Sequence, residues 1–235
     1  MSLQILHSDL KKPIRAFLFD MDGVILDTEK LYTRFWQEAA RSLGYPMTLE
    51  QALGMRSLNR DAGKARMESY FGPETDYDAI RQQRIRLMDA YIEENGVEPK
   101  PGIYALLDAL DARGIPRAIT TSSPITRTEK YLTRLNLFSR FQRICTGYDV
   151  SQGKPAPDIY LYGAECLGLP PGNCLAIEDS PAGILSAYRA GCMPIMVPDQ
   201  DQPDGDTKSL LFGLADSLTD VIDLLESLRQ NQEAR

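Results

Sequence analysis

Histidine is almost missing from this 235-residue chain: His7 is the only one, so no histidine cluster exists to complete a zinc site. The cysteines are few as well. Cys145, Cys166, Cys174 and Cys192 fall at irregular spacings with no Cys-x-x-Cys pair, which is the pattern of small buried residues in a reducing compartment. No apolar run approaches the roughly 18 residues of a membrane span, and the opening segment has no signal-peptide core. These absences predict a cytoplasmic protein with no membrane partner. Positive charge is also scarce, with 26 Lys and Arg against 33 Asp and Glu for a net charge of −7. Nothing resembles a basic stripe able to displace counterions from a phosphate backbone, so nucleic acid is excluded as a partner. The negative charge and the lack of obvious exposed apolar runs favour a monomer.

What is present reads as a layered α/β protein. Short apolar runs at Ala16 to Phe19, Pro116 to Thr120, Phe141 to Cys145, Cys174 to Ile177 and Met193 to Val197 lack strict alternation, as strands covered on both faces do. Helical segments separate them, so the spacing predicts a Rossmann-like, doubly wound parallel sheet with helices on both sides. From about Thr28 to Lys100 the strand rhythm stops. Leu31, Phe35, Ala39 and Leu43 recur at helical spacing before Gly44, and Ile80, Leu87 and Tyr91 do so before Gly96. This predicts an all-helical insertion over residues 28–100 in a core made of 1–27 and 101–235. An insertion beginning where the first strand ends is a candidate lid over that edge of the sheet.

Polar clusters stand where the strands should end. Asp20-Met21-Asp22-Gly23 follows the first run and puts two carboxylates on one face of an extended backbone. Two such anions repel unless a cation or a phosphoryl group lies between them. Gly23 allows an unusual backbone angle or the close approach of a ligand. A second acidic pair, Glu178-Asp179, follows Leu175-Ala176-Ile177. Thr120-Thr121-Ser122-Ser123 follows Arg117-Ala118-Ile119, and Lys154-Pro155 precedes the helix opened near Pro157. Carboxylates, hydroxyls and a lysine converging beyond the carboxyl ends of parallel strands are what a metal-assisted phosphoryl site requires.

Taken in order, Asp20-x-Asp22-Gly23-Val24, Thr121-Ser122, Lys154-Pro155 and Glu178-Asp179-Ser180 resemble the four motifs of the haloacid dehalogenase (HAD) superfamily, and the likeness covers nearly the whole chain. With Asp27-Thr28-Glu29 after the first motif, it is most similar to the branch holding β-phosphoglucomutase and small sugar-phosphate phosphatases. The resemblance implies a magnesium-dependent phosphatase acting on a small phosphorylated metabolite. It casts Asp20 as nucleophile and Asp22 as general acid and base. It also implies Thr121 and the backbone around Ser122 as phosphoryl donors, and Lys154 as the neutralising cation. Mg²⁺ would be held by Asp20, the backbone carbonyl of Asp22, and Asp179. Glu178 is either a further ligand through water or a partner of Lys154. Glu29 and Arg56, with Asn59 and Arg60, are candidate substrate contacts in the insertion, because Gly54-Met55-Arg56 resembles the lid loop of this branch.

The alternative implied by the resemblance is a phosphosugar mutase of the β-phosphoglucomutase type. That branch carries a lid histidine four residues after the threonine matched by Thr28, where this chain has Tyr32, and a basic residue where it has Pro124. Both departures favour hydrolysis. A catalytically silent HAD-fold binding protein is a further alternative, but it would be expected to lack the nucleophile or the lysine. Asp22 with Glu178-Asp179 argues against a metal-free dehalogenase.

Overall fold

The computed structural model describes residues 3–6, 13–56, 58 and 60–233, with side chains described as far as residue 225. Asn59 and His7 lie outside the described residues. Strands β1 (Gln4–Ile5) and β2 (Ala16–Phe19) are followed by helices α1 (Glu29–Ser42), α2 (Leu49–Leu53), α3 (Arg60–Phe71) and α4 (Tyr77–Asn95). Then come α5 (Ile103–Asp111), β3 (Arg117–Thr121), α6 (Ile125–Arg134), β4 (Arg143–Thr146) and α7 (Asp158–Cys166). The chain ends with β5 (Cys174–Glu178), α8 (Pro181–Arg189), β6 (Met193–Met196), α9 (Gly205–Leu210), β7 (Gly213–Leu214) and α10 (Leu218–Glu233). It divides into two compact units, Met1–Leu26 with Pro99–Arg235, and Asp27–Glu98.

The first unit is built on a seven-stranded sheet of order β1-β7-β6-β5-β2-β3-β4, parallel throughout except for the antiparallel β1–β7 pair. The winding reverses at β2, with β3 and β4 laid on one side of it and β5 to β7 on the other. Right-handed crossovers therefore place the helices of the two halves on opposite faces. β2 is central, and all four of its residues are fully buried, which explains why its sequence is a continuous apolar run. One face of the sheet is thin: Ala16, Leu18, Ala118, Cys145, Cys174 and Ala176 pack with Tyr160, Ala164 and Ala187 of α7 and α8. The other face carries bulk, with Phe17 and Phe19 stacked at 6.0 Å and Phe141 edge-on to Phe19 at 5.7 Å.

Two expectations shift in detail. Phe141 precedes β4, which begins at Arg143, and Pro116 precedes β3. Proline has no N–H to give a ladder, yet the Pro116 carbonyl still accepts from the Phe17 N–H at 3.0 Å. β1 and β7 were not anticipated, since pairs of residues this short carry no readable periodicity; they join through Gln4↔Leu214 and Ile5↔Gly213. Helix ends follow local chemistry. Asn136, at φ 54°, stands in the left-handed region just past α6. Ser217 and Asp220 exchange backbone and side-chain bonds at the start of α10.

The second unit is all helical. α1 packs along α4, α2 against α1 and α3 against α4, around Trp36, Ala40, Met47, Met67, Tyr77 and Ile80. Thr48 and Gln51 form a reciprocal capping box at α2. Arg84 is buried in α4, with its guanidinium 4.8 Å from the Tyr32 ring and 5.0 Å from the Trp36 ring. The charge of a buried arginine is thus met partly by aromatic faces.

The thin face of the sheet depends on a close approach of α7. A Cβ on Gly163 would lie 2.7 Å from the Thr120 methyl and 3.3 Å from Leu18. The nearer contact is a branched methyl on a strand, which cannot swing away. Gly163→Ala should therefore destabilise the fold by about 1–3 kcal/mol through overpacking. Chemical denaturation measures this, and an unchanged midpoint would contradict the packing described.

Candidate active site

Strand register alone gathers the site. Phe19 pairs with Ile119 of β3 and Ile177 of β5, so the next residues, Asp20, Thr120 and Glu178, emerge at one level. The Asp20 N–H continues the ladder to the Ile177 carbonyl at 3.0 Å. Beyond Asp20 the chain folds into a tight loop in which the Ile25 and Leu26 N–H groups both donate to the Met21 carbonyl at 2.9 Å. Gly23 takes φ 82° there and donates to Leu26 at 2.8 Å. Met21, Val24, Ile25 and Leu26 are buried and anchor the loop, whereas Asp22 is half-buried. Alternation on the extended stretch thus sends Met21 inward and leaves the two acids together.

Lys154 reaches the end of β2 from the loop between β4 and α7. Its ammonium donates to Asp20 Oδ1 at 2.5 Å and to Glu178 Oε1 at 2.6 Å, and it lies 5.3 Å from the centre of the Tyr160 ring. The loop is held from behind by α8, whose Ser186 hydroxyl donates to the Ala156 carbonyl and whose Arg189 donates to the Pro155 carbonyl at 3.1 Å. Glu178 has further partners. The Tyr160 hydroxyl donates to Oε1, and the Ser180 hydroxyl lies 3.3 Å from Oε2 while capping α8 through Gly183 N–H. Helix α8 presses so closely that a Cβ on Gly183 would fall 2.0 Å from the Glu178 carboxyl.

Asp20, Glu178 and Asp179 are all buried, and each offers a carboxylate oxygen within 4.8 Å of the others. Lys154 pairs with two of these acids, Asp20 and Glu178. Burial pushes the Asp20 carboxyl up to about 7, against the pull of Lys154 and with the push of Glu178. Burial works against the Lys154 ammonium, but the charges of Asp20 and Glu178 outweigh it and hold the proton on. Burial and the same carboxylates raise the Tyr160 hydroxyl well above its usual range, so it remains a donor. Three buried carboxylates this close repel unless a cation lies among them. Their all-oxygen donor set suits a hard divalent cation of the magnesium, manganese or calcium kind, and the residues present therefore fit a metal.

Thr121 ends β3, is buried, and accepts a bond on Oγ1 from the Ser123 N–H at 3.0 Å. Ser122 is exposed, and Ser123 donates its hydroxyl to Asp22 Oδ2 at 2.8 Å. The sequence-derived residues Asp20, Lys154, Glu178 and Asp179 thus meet directly, while Ser123 ties Thr121 to Asp22. Glu29 opens α1 and Arg56 follows α2 in the other unit, both half-buried. One terminal nitrogen of Arg60 donates to both carboxylate oxygens of Asp78 at 2.9 Å on the surface of that unit. Ser123, Tyr160 and Gly183 were not singled out from sequence. Tyr160 is a hydroxyl on a helix face that otherwise reads as core, and Gly183 looks like any small residue in a first helical turn.

Comparison with known proteins gives a consistent set of relatives. The profile of haloacid dehalogenase-like hydrolases matches residues 14–191. The chain is 35% identical over 186 residues to hexitol phosphatase A of Escherichia coli, covering 78% of this chain and 82% of that protein. It is 29% identical over 221 residues to the phosphorylated carbohydrates phosphatase of Thermotoga maritima, covering 92% and 99%. Among solved structures, CbbY from Rhodobacter sphaeroides in complex with phosphate superposes with a TM-score of 0.73 at 26% identity, over 88% of this chain and 95% of that one. The matched profile takes in all four polar clusters described above, and on that breadth the chain belongs to the haloacid dehalogenase-like hydrolase family.

Proposed function

We propose that the protein is a Mg²⁺-dependent phosphatase that hydrolyses a small phosphorylated metabolite, a sugar phosphate or similar, through an aspartyl-phosphate on Asp20. One observation carries this reading: a half-buried Lys154 bridging the buried Asp20 and Glu178 beside a cluster that Asp179 completes. Relatives named as phosphatases of hexitols and phosphorylated carbohydrates support the substrate class. Among the described residues no helix is long and apolar enough to cross a membrane. The four cysteines are free, which supports a reducing, cytoplasmic setting.

Each residue has a task in this scheme. An Asp20 oxygen attacks phosphorus in line, forming the acyl phosphate as the P–O bond to the leaving alcohol breaks. Asp22 passes a proton to that departing oxygen, then takes one from the water that splits the Asp20–phosphoryl bond. Thr121 already accepts a bond on its oxygen, so its own proton is aimed elsewhere and can reach a phosphoryl oxygen, beside the backbone of Gly23 and Ser122. Lys154 offsets charge on Asp20 and on the transferring group. Asp20, the Asp22 carbonyl, Glu178 and Asp179 would hold Mg²⁺, which supplies charge neutralisation at the phosphoryl oxygens. Glu29 and Arg56 of the helical unit are assigned to substrate selection. At the position where the mutase branch has histidine, Tyr32 packs its ring against the Arg84 guanidinium at 4.8 Å.

A panel of phosphorylated sugars and polyols assayed with and without Mg²⁺ tests the reading. The expected result is metal-dependent phosphate release that Asp20→Asn lowers by roughly 10³-fold or more. Glucose 1-phosphate converted to glucose 6-phosphate with little free phosphate would instead make the protein a mutase. The crowding of Glu178 gives a second prediction. Gly183→Ala should force that carboxylate aside and weaken Mg²⁺ binding, measured by calorimetry, by about 10- to 100-fold, the range seen for groups that orient metal ligands. Unchanged affinity would remove Glu178 from the metal site.

A further inference from the structure

We infer that Ser123 is a positioning residue for the general acid, acting on Asp22 through the hydroxyl that it donates to Asp22 Oδ2 at 2.8 Å. The inference rests on the phosphatase reading and deepens it. Ser123 is 6% exposed although its neighbour Ser122 is exposed, so its hydroxyl needs a partner inside the protein. The obvious partner for a serine at this place would be the helix it precedes. Ser123, however, stands one residue outside the N-cap position, which Pro124 holds. The hydroxyl turns instead to a carboxylate 101 residues earlier in the chain.

A carboxyl group rotates about its Cβ–Cγ bond unless an oxygen is held, and Ser123 holds Oδ2, which sets the plane in which Asp22 presents its proton. The same residue's N–H holds Thr121 Oγ1 at 3.0 Å. One buried serine therefore sets the orientation of the acid relative to the hydroxyl that grips the phosphoryl group, across two loops from different strands. Alignment of this kind matters in rate: a displacement of about 1 Å in a reacting group costs about 10²-fold.

The test separates alignment of an acid from general damage. A series of para-substituted phenyl phosphates from nitro to methoxy keeps size constant while the leaving oxygen becomes more basic and depends more on its proton. In kcat/KM, Ser123→Ala should lose about tenfold more on the methoxy ester than on the nitro ester, within the range of about 10²–10⁴-fold that general acids supply. Ser123→Thr, which keeps the hydroxyl, should restore the wild-type slope. In an Asp22→Asn background Ser123→Ala should add no further slope. Equal losses across the series, or an added slope without Asp22, would overturn the assignment while leaving the phosphatase reading intact. Turnover of the series that Asp20→Asn does not diminish would overturn both.

Discussion

The bond of Lys154 to Asp20 and Glu178 is the interaction on which the site depends. It joins the ends of two adjacent parallel strands to a loop from a third part of the sheet, and both carboxylates in it are buried. A lone buried carboxylate would take up a proton and lose its nucleophilic character, as the upward pull on Asp20 shows. The lysine opposes that pull at Asp20 and pairs with Glu178 as well, and Asp179 adds a third carboxylate oxygen within 4.8 Å of theirs. That convergence of acids is what suits the cluster to a divalent cation and to chemistry that moves a phosphoryl group.

The surrounding fold serves this charge arrangement. The winding reverses beside β2, which opens a crevice at the carboxyl ends of β2, β3 and β5. The thin sheet face allows α7 and α8 to approach closely. That closeness brings the Tyr160 hydroxyl to Glu178, and it lets α8 brace the lysine loop through Ser186 and Arg189. Small residues such as Gly163 and Gly183 are therefore as much a part of the site as the charged ones, because they set how near the helices lie.

Most of this was legible in the sequence where charge interrupts an apolar run. Asp20, Thr121 and Glu178-Asp179 each stand at the end of a buried strand, while the register that brings Asp20, Thr120 and Glu178 level shows only in the folded sheet. Lys154 could be named from its motif, though its double partnership could not. What stayed hidden was the material that looks like core. Tyr160 sits between Ile159 and Ala164 and reads as packing, yet its oxygen meets a buried carboxylate. Ser123 reads as the third hydroxyl of a polar turn, and only the folded chain shows that it reaches Asp22. β1 and β7 escaped for a different reason, since a two-residue strand is defined by its partner and not by its own pattern.

The central claim is that this buried, lysine-bridged Asp20 accepts a phosphoryl group. Rapid acid quench during turnover of p-nitrophenyl phosphate with Mg²⁺, followed by peptide mass spectrometry, measures it directly. The account predicts one phosphoryl group on the peptide containing Asp20, absent from Asp20→Asn. A phosphoryl group found on a serine or threonine, or hydrolysis with no phosphorylated peptide at any quench time, would contradict it.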